Sequence, residues 1–249
     1  MKYIASCSGG KDSVATLILA KIHGEPLDGV VYAEIMFDHD LSAEHPEHRD
    51  FVYNKLKPWV ENELGVPFTI VHGDRTVWEL FNTTVVRGPH KGKQRAFPPP
   101  GMCYINRDCK SRPMIRYWKN RGEKDVVQYL GIAVDEPKRL SKLDTYEGTP
   151  KISLLAKYGY TEADAMKLCE EWGLLSPIYS FTNRNGCWFC PNCKDREWLR
   201  LMRVHPDLFD RLIEAENGIE NPYRRCLTRT ETPSELKKRI LESRGGNLF

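Results

Sequence analysis

Along the first 140 residues, short runs of consecutive apolar residues alternate with segments whose apolar positions recur every three or four residues. Residues 2–7, KYIASC, predict a buried strand, and residues 13–24, SVATLILAKIHG, the helix after it, closed by Gly24. Residues 29–38, GVVYAEIMFD, predict a second buried strand ending at Asp38. Residues 48–65, HRDFVYNKLKPWVENELG, place Phe51, Val52, Leu56 and Val60 on one helical face and end on a glycine. PFTIVHG at 67–73 predicts a third strand, RPMIRYWKNRG at 112–122 a helix, and DVVQYLGIA at 125–133 a fourth strand. Fully apolar strands separated by amphipathic helices imply an α/β protein with a parallel sheet and helices on both faces. In such sheets ligands bind at the carboxyl ends of the strands.

The rhythm breaks in three places. Residues 87–100, RGPHKGKQRAFPPP, are basic and rich in Gly and Pro, and predict a long loop. Residues 141–160 are irregular. From about residue 161 the helix TEADAMKLCEEWG leads to a cysteine cluster, and then to two helices broken near Pro206. These features divide the chain into an α/β domain at 1–150 and a mostly helical, cysteine-containing C-terminal extension at 151–249.

Composition narrows the setting. The 249 residues are 41% hydrophobic and 29% charged, with a net charge of +3, too small an excess to prove a polyanionic partner. No apolar run approaches the roughly 20 residues of a membrane span. The chain enters a strand pattern without a signal-peptide pattern, so no membrane partner and a cytoplasmic address are expected. In that reducing setting the eight cysteines call for a role other than disulfides.

The candidate chemistry begins at SCSGGKDSV, residues 6–14. A strand, a glycine loop and a helix start set backbone N–H groups at a strand's carboxyl end, which is an anion site. Gly9 and Gly10 admit phosphate close to the backbone, Ser8 and Ser13 offer hydroxyls, and Lys11 a charge. Asp12 fits beside phosphate as a metal holder or a helix cap. A tight turn with an N-cap serine is the plainer reading. The string does not fit the G-x-x-x-x-G-K-[ST] loop.

It does match S-G-G-x-D-S, and so resembles the loop of the ATP-pyrophosphatase (PP-loop) superfamily. FDHDLSAEHPEHRDFV, RDCKSRPM and GIAVDEPKR follow in the order of the D…E-x-P-E…F, R-x-x-K-x-x-P and G-I-x-x-D-E-x-x-R segments of phosphoadenosine-phosphosulfate (PAPS) reductase-like proteins. The resemblance spans about residues 3–140 and implies an adenine nucleotide alpha hydrolase-like fold. It implies ATP across the strand ends, its phosphates on Ser8, Gly9, Gly10, Lys11, Asp12 and Ser13, with Lys110, Asp135 and Arg139 nearby. Mg²⁺ would be held by Asp12 or Asp38, with Lys11 stabilising developing charge. Taken singly, Lys110 and Arg139 also read as solvated charges, and Asp38, Glu44, Asp135 and Glu136 as caps or turn residues.

GCWFCPNCKD sets Cys187, Cys190 and Cys193 in a C-x2-C-x2-C array. This spacing is that of three ligands of a [4Fe-4S] cluster whose fourth ligand is remote. Zinc is the alternative, with Cys187 and Cys190 joined by Cys169 and by Cys103 or Cys109. The resemblance favours Cys109 as the fourth cluster ligand, with Cys103 next. Three buried hydrophobes are the plain alternative.

Three functions remain open. One is ATP-dependent adenylation of an acceptor with release of pyrophosphate, followed by sulfur transfer to a small molecule or a nucleic acid. The second is sulfonucleotide reduction, with Cys226 or a cluster cysteine attacking; the chain has no E-C-G-I-H segment of the true reductases. The third is a nucleotide-binding regulatory module without turnover. Arg87, His90, Lys91, Lys93 and Arg95 are the candidate contacts to a nucleic-acid acceptor. A solvated loop and a lid over the nucleotide are the other readings of that segment.

Overall fold

The computed structural model describes residues 1–101, 103–120, 126–143 and 150–243. In chain order the elements are β1 (Lys2–Cys7), α1 (Lys11–His23), β2 (Gly29–Glu34) and a long helix α2 of α and π turns (Pro46–Phe51, Val52–Leu56, Lys57–Trp59, Val60–Leu64). Next come β3 (Phe68–His72), α3 (Val77–Phe81), a π turn (Asn106–Ser111) running into α4 (Arg112–Asn120), and β4 (Val126–Leu130). After these lie α5 (Pro137–Leu140), β5 (Lys151–Ile152), α6 (Leu154–Lys157) and α7 (Glu162–Glu171). A 3-10 turn (Pro177–Ser180) precedes α8 (Asp195–Val204), α9 (Pro206–Asn217) and α10 (Pro233–Glu242). Residues 121, 122 and 125 of the expected helix and strand lie outside the described residues.

The contacts gather these elements into two compact units. The first comprises Met1–Glu34, His45–His72 and Pro113–Asn185, and the second Ile35–Glu44, Gly73–Arg112 and Gly186–Phe249. The expected division at residue 150 is therefore not where the contacts divide the chain. The reason lies in burial. α7 supplies Ala165, Leu168 and Cys169 to the same core as α1, so residues 151–185 belong with the first unit. The helices after residue 186 bury Trp198, Leu201, Phe209, Leu212 and Leu236 against Phe37, Val77, Phe97 and Ile105 from two earlier segments. An amphipathic helix cannot bury its stripe alone.

The first unit is a five-stranded parallel sheet in the order β3-β2-β1-β4-β5. Each strand's period of two divides its residues between faces. Ala5, Cys7, Val30, Tyr32, Val127 and Tyr129 face α1, α2 and α7. Ile4, Val31 and Val126 belong to a second cluster with Met114, Tyr117 and Trp118 of α4. Helices thus cover both faces, as the apolar strand pattern predicts. α2 carries Pro58 inside it, and the Lys57 N–H donates to the carbonyl of Val52, five residues back. A proline ring has no N–H and crowds the carbonyl four residues earlier, which a widened π turn relieves.

The strand order reverses between β1 and β4. A crevice for a ligand opens at the carboxyl ends of strands at such a reversal. Here the start of α1 comes against the residue after β4: a Cβ built on Gly131 would lie 2.6 Å from both the carbonyl carbon of Asp12 and the amide nitrogen of Ser13.

In the second unit, isolated antiparallel bridges join Met36 to Ser42 and Glu44 to Cys187. α8 and α9 meet at the break the sequence marks near Pro206. α10 opens with a capping box, Thr232 and Glu235 bonding reciprocally. No helix among the described residues is long and apolar enough to cross a membrane.

The Gly131 contact is with backbone, which cannot turn aside. We predict that Gly131→Ala destabilises the protein by about 2 kcal/mol or more, read as a lowered urea midpoint.

Candidate functional site

The hexapeptide Ser8–Ser13 bridges β1 and α1, as expected. Gly9 has φ +70°, and a Cβ there would lie 2.6 Å from Cγ2 of Val52 and 2.8 Å from Cε1 of His48. Only glycine meets both constraints. Ser13 ties the loop to the helix start: its Oγ accepts the Ser8 N–H at 3.1 Å and donates to the Gly10 carbonyl at 2.9 Å. The next three loop amides donate to side chains. Gly9 N–H reaches Cys7 Sγ at 3.3 Å, Gly10 N–H the Ser8 hydroxyl at 3.3 Å, and Lys11 N–H the Tyr179 hydroxyl at 2.9 Å. These acceptors are neutral hydroxyls and a thiol. An anionic oxygen forms hydrogen bonds roughly twice as strong with such donors.

Lys11 lies over the loop, its Nζ 2.9 Å from Asp12 Oδ1 and 3.3 Å from Glu162. Burial pushes the Asp12 carboxyl above its ordinary range, Lys11 opposes the shift, and Glu162 and Glu136 add to it. Cys169 is buried behind the loop and donates to the Lys11 carbonyl at 3.2 Å, and burial pushes its thiol up to about 12. It is core, the plainer of its two readings.

Two of the other nucleotide residues of the sequence reading, Asp135 and Arg139, adjoin Glu162 and Glu136, the carboxylates that act on Asp12. Asp135 accepts the Glu162 N–H at 3.1 Å, near the start of α7. Arg139 is exposed and pairs with Glu136 at 2.6 Å. Asp38 and Lys110 belong to the second unit. There Asp38 accepts Arg211 at 2.7 Å and the Asp40 and Leu41 amides at 3.0 and 2.7 Å. Despite desolvation, these bonds hold its carboxyl below the ordinary range. Its oxygens are thus spent on a structural ion pair and a turn, while Lys110 lowers the pKa of Cys187.

The cysteine array forms two consecutive turns, Cys190 N–H to the Cys187 carbonyl at 3.0 Å and Cys193 N–H to the Cys190 carbonyl at 2.9 Å. Trp188 and Phe189 anchor it. Both are buried, Trp188 Nε1 donates to the Ser42 carbonyl at 3.0 Å, and both rings pack on Phe37. Trp188 and Phe189 are the buried members of this stretch, with Cys187 and Cys193 packed beside them and all three cysteines half-buried. Burial pushes the Cys187 thiol well up, with Glu44, Cys190 and Cys103 adding to the shift. Cys109 is buried with its Sγ 3.5 Å from the Arg75 carbonyl, and burial raises its thiol to about 12. Cys103 is a neighbour of both Cys187 and Cys109. Among the described residues no three His, Cys, Asp or Glu side chains converge as a metal cage. The expected set of Cys109, Cys187, Cys190 and Cys193 is thus not assembled: Cys109 is turned to a backbone carbonyl.

The basic segment is pinned rather than loose. Thr84 and Gln94 bridge, Gln94 N–H donates to the Asn221 carbonyl, and Tyr223 N–H returns to Gln94. Arg95 is drawn to Asp108 at 3.1 Å, and His90 packs on Tyr223 with ring centroids 4.2 Å apart. Arg87 and Lys91 are exposed.

Sequence reasoning missed His48, Ser176, Tyr179 and Asn185, which surround the glycine loop from segments 40 to 177 residues away. Nothing in their local sequence signals it. It also missed the buried carboxylate of Glu34, which closes β2 and is held by Arg49 at 2.7 Å, Tyr53 at 2.6 Å and His72 at 2.9 Å.

No protein-family model matches the chain. The chain is similar to the uncharacterized protein MJ0066 of Methanocaldococcus jannaschii, with 24% identity over 211 residues that cover 82% of this chain. It spans 39% of that relative's length. Among solved structures it is similar to the U34-tRNA thiolase NcsA from Methanococcus maripaludis with its [4Fe-4S] cluster, at 16% identity and a TM-score of 0.43, covering 96% of this chain and 80% of that one. At that depth of likeness the thiolase's activity and cluster remain properties of the thiolase.

The raised pKa of Asp12 makes its charge costly in the folded state. Asp12→Asn should therefore raise the unfolding midpoint at pH 7. The gain should fade as pH falls and vanish below about 4, where the carboxyl is protonated in the folded and unfolded chain alike. Thermal melts of both proteins across that range measure it.

Proposed function

We propose that Ser8–Ser13 seat the phosphates of ATP, and that the protein is a PP-loop enzyme that adenylates an acceptor and releases pyrophosphate. The observation that carries this reading is the glycine loop at the strand-order reversal, with α1 beginning at its end and Gly9 admitting no side chain. The amides of Gly10 and Lys11 bind phosphate oxygens in place of the neutral hydroxyls. Lys11 Nζ neutralises charge that develops on the leaving pyrophosphate. Asp12, now paired with Lys11, is the carboxylate that would hold the nucleotide's Mg²⁺, which would neutralise phosphate charge. The acceptor oxygen attacks the α-phosphorus, the bond to the bridging oxygen breaks, and pyrophosphate departs with the electron pair.

We further propose that Cys187, Cys190 and Cys193 bind a metal centre, a [4Fe-4S] cluster in preference to zinc. The spacing supports it, as do the anchored turns and the presence of Cys103 among the neighbours of Cys187. Such a centre would supply sulfur-transfer chemistry. Its thiols would have to turn towards a common point. Exposed Arg87 and Lys91 favour a nucleic acid as acceptor. Cys226 is half-buried and its carbonyl accepts Arg224 at 3.0 Å, which gives no support to the reductase reading.

Two measurements test this. Calorimetric titration with ATP·Mg²⁺ should show binding that Lys11→Ala weakens by about tenfold, the effect of losing one charge-assisted contact. Pyrophosphate release in the presence of acceptor marks the enzyme. Sulfite from a sulfonucleotide would mark a reductase, and binding without either product a regulatory module. Anaerobically purified protein should carry about four iron atoms per chain. Cys187→Ser and Cys190→Ser should each lower that content, and one zinc per chain would replace the cluster by a tetrahedral site.

A further inference from the structure

Two side chains from distant segments bind the Ser8 carbonyl of the glycine loop. His48 Nε2 lies 2.9 Å from this oxygen and Asn185 Nδ2 lies 2.7 Å from it. Both lone pairs are thereby occupied. A carbonyl only accepts, so His48 carries its proton on Nε2. In the neutral ring Nδ1 is then an acceptor, and the Ser176 hydroxyl donates to it at 2.8 Å. His48 is 0% exposed and Ser176 2%, so this tautomer is fixed away from water. Asn185 is oriented by the same logic: its opposite amide face would set oxygen against oxygen. Its Oδ1 is buried and makes no hydrogen bond. Asn185 and Tyr179 also flank Gly10, where a Cβ would meet the Asn185 Cβ at 3.3 Å and the Tyr179 hydroxyl at 3.1 Å.

The physical need for such a clamp follows from Gly9. A peptide that leads into a glycine at positive φ can rotate with little steric cost. Rotation of the Ser8–Gly9 peptide would present a carbonyl dipole, negative end outward, among amides meant for an anion. Anion-binding loops work because successive N–H groups converge without an intervening acceptor.

We propose that His48 and Asn185, with Ser176 behind His48, are positioning residues that lock the Ser8 carbonyl and so keep the loop an anion seat. The proposal rests on the phosphate-binding reading of Ser8–Ser13. It assigns to Asn185 a role in nucleotide affinity without contact to the nucleotide.

Asn185→Asp tests it with almost no change of shape, because it replaces the donor by an acceptor facing the carbonyl. The dissociation constants of ATP·Mg²⁺ and of inorganic pyrophosphate should both rise by about tenfold or more, while the urea midpoint stays near that of the native protein. Asn185→Ala, which only removes the donor, should give a smaller rise and serves if the aspartate variant does not fold. His48→Gln, whose amide nitrogen reaches as far as Nε2, should retain affinity where His48→Leu loses it. Native affinity in both Asn185 variants would overturn the proposal. So would losses that simply track a fall in the urea midpoint, or equal losses for Gln and Leu at 48. A native protein that binds neither ATP nor pyrophosphate would overturn the phosphate-seat reading itself, and the clamp with it.

Discussion

Two stretches of backbone meet in the first unit with no room for a side chain between them. Gly131, just beyond β4, touches the first turn of α1 through a gap that a single Cβ would close. That approach fixes the helix start at the reversal of strand order, and so fixes where the N–H groups of the loop point. Everything proposed about phosphate depends on it. The proposed phosphate seat requires α1 to begin there, and Val14, Leu17 and Ile18 hold that helix in the core. The sheet thereby positions chemistry through hydrophobic burial, and the polar groups at the site need only refine it.

Much of this was legible in the sequence. β1, α1, β2, β3 and the long helix after β2 are apolar runs or stripes that no other arrangement buries, and Gly24 and Gly65 stop their helices where expected. The loop announced itself through spacing. α10 was announced too, since Thr232, Pro233 and Glu235 carry a helix-start signature that went unread. What could not be read was pairing at long range. Asp38 looks like an available carboxylate after an apolar run, yet Arg211 from α9 binds it. Arg95 looks like a free cation in a basic run until Asp108 is found beside it. His48 and Asn185 have no local pattern at all. Ion pairs and hydrogen bonds depend on where side chains arrive, and periodicity reports only which face they leave from.

The cysteine array shows the same split between what spacing says and what placement adds. C-x2-C-x2-C is a statement about turns, and the turns are present. The fourth partner is a statement about a distant segment, and there Cys109 is turned to the Arg75 carbonyl while Cys103 is exposed. Trp188 and Phe189 take over the packing that the cysteines would otherwise have to provide. Cys187 and Cys193 stand half-buried beside that packing.

The interleaving of the two units along the chain has a consequence for biosynthesis. Each unit draws on both the first 45 residues and segments beyond residue 112. Emerging from a ribosome, the N-terminal strands and helix α1 must wait for β4 and α7 before their core closes. Phe37, Val77 and Phe97 must wait longer still, for α8 to α10. Neither core can be completed vectorially, and sequence-distant contacts of this kind slow folding and prolong exposure of apolar surface.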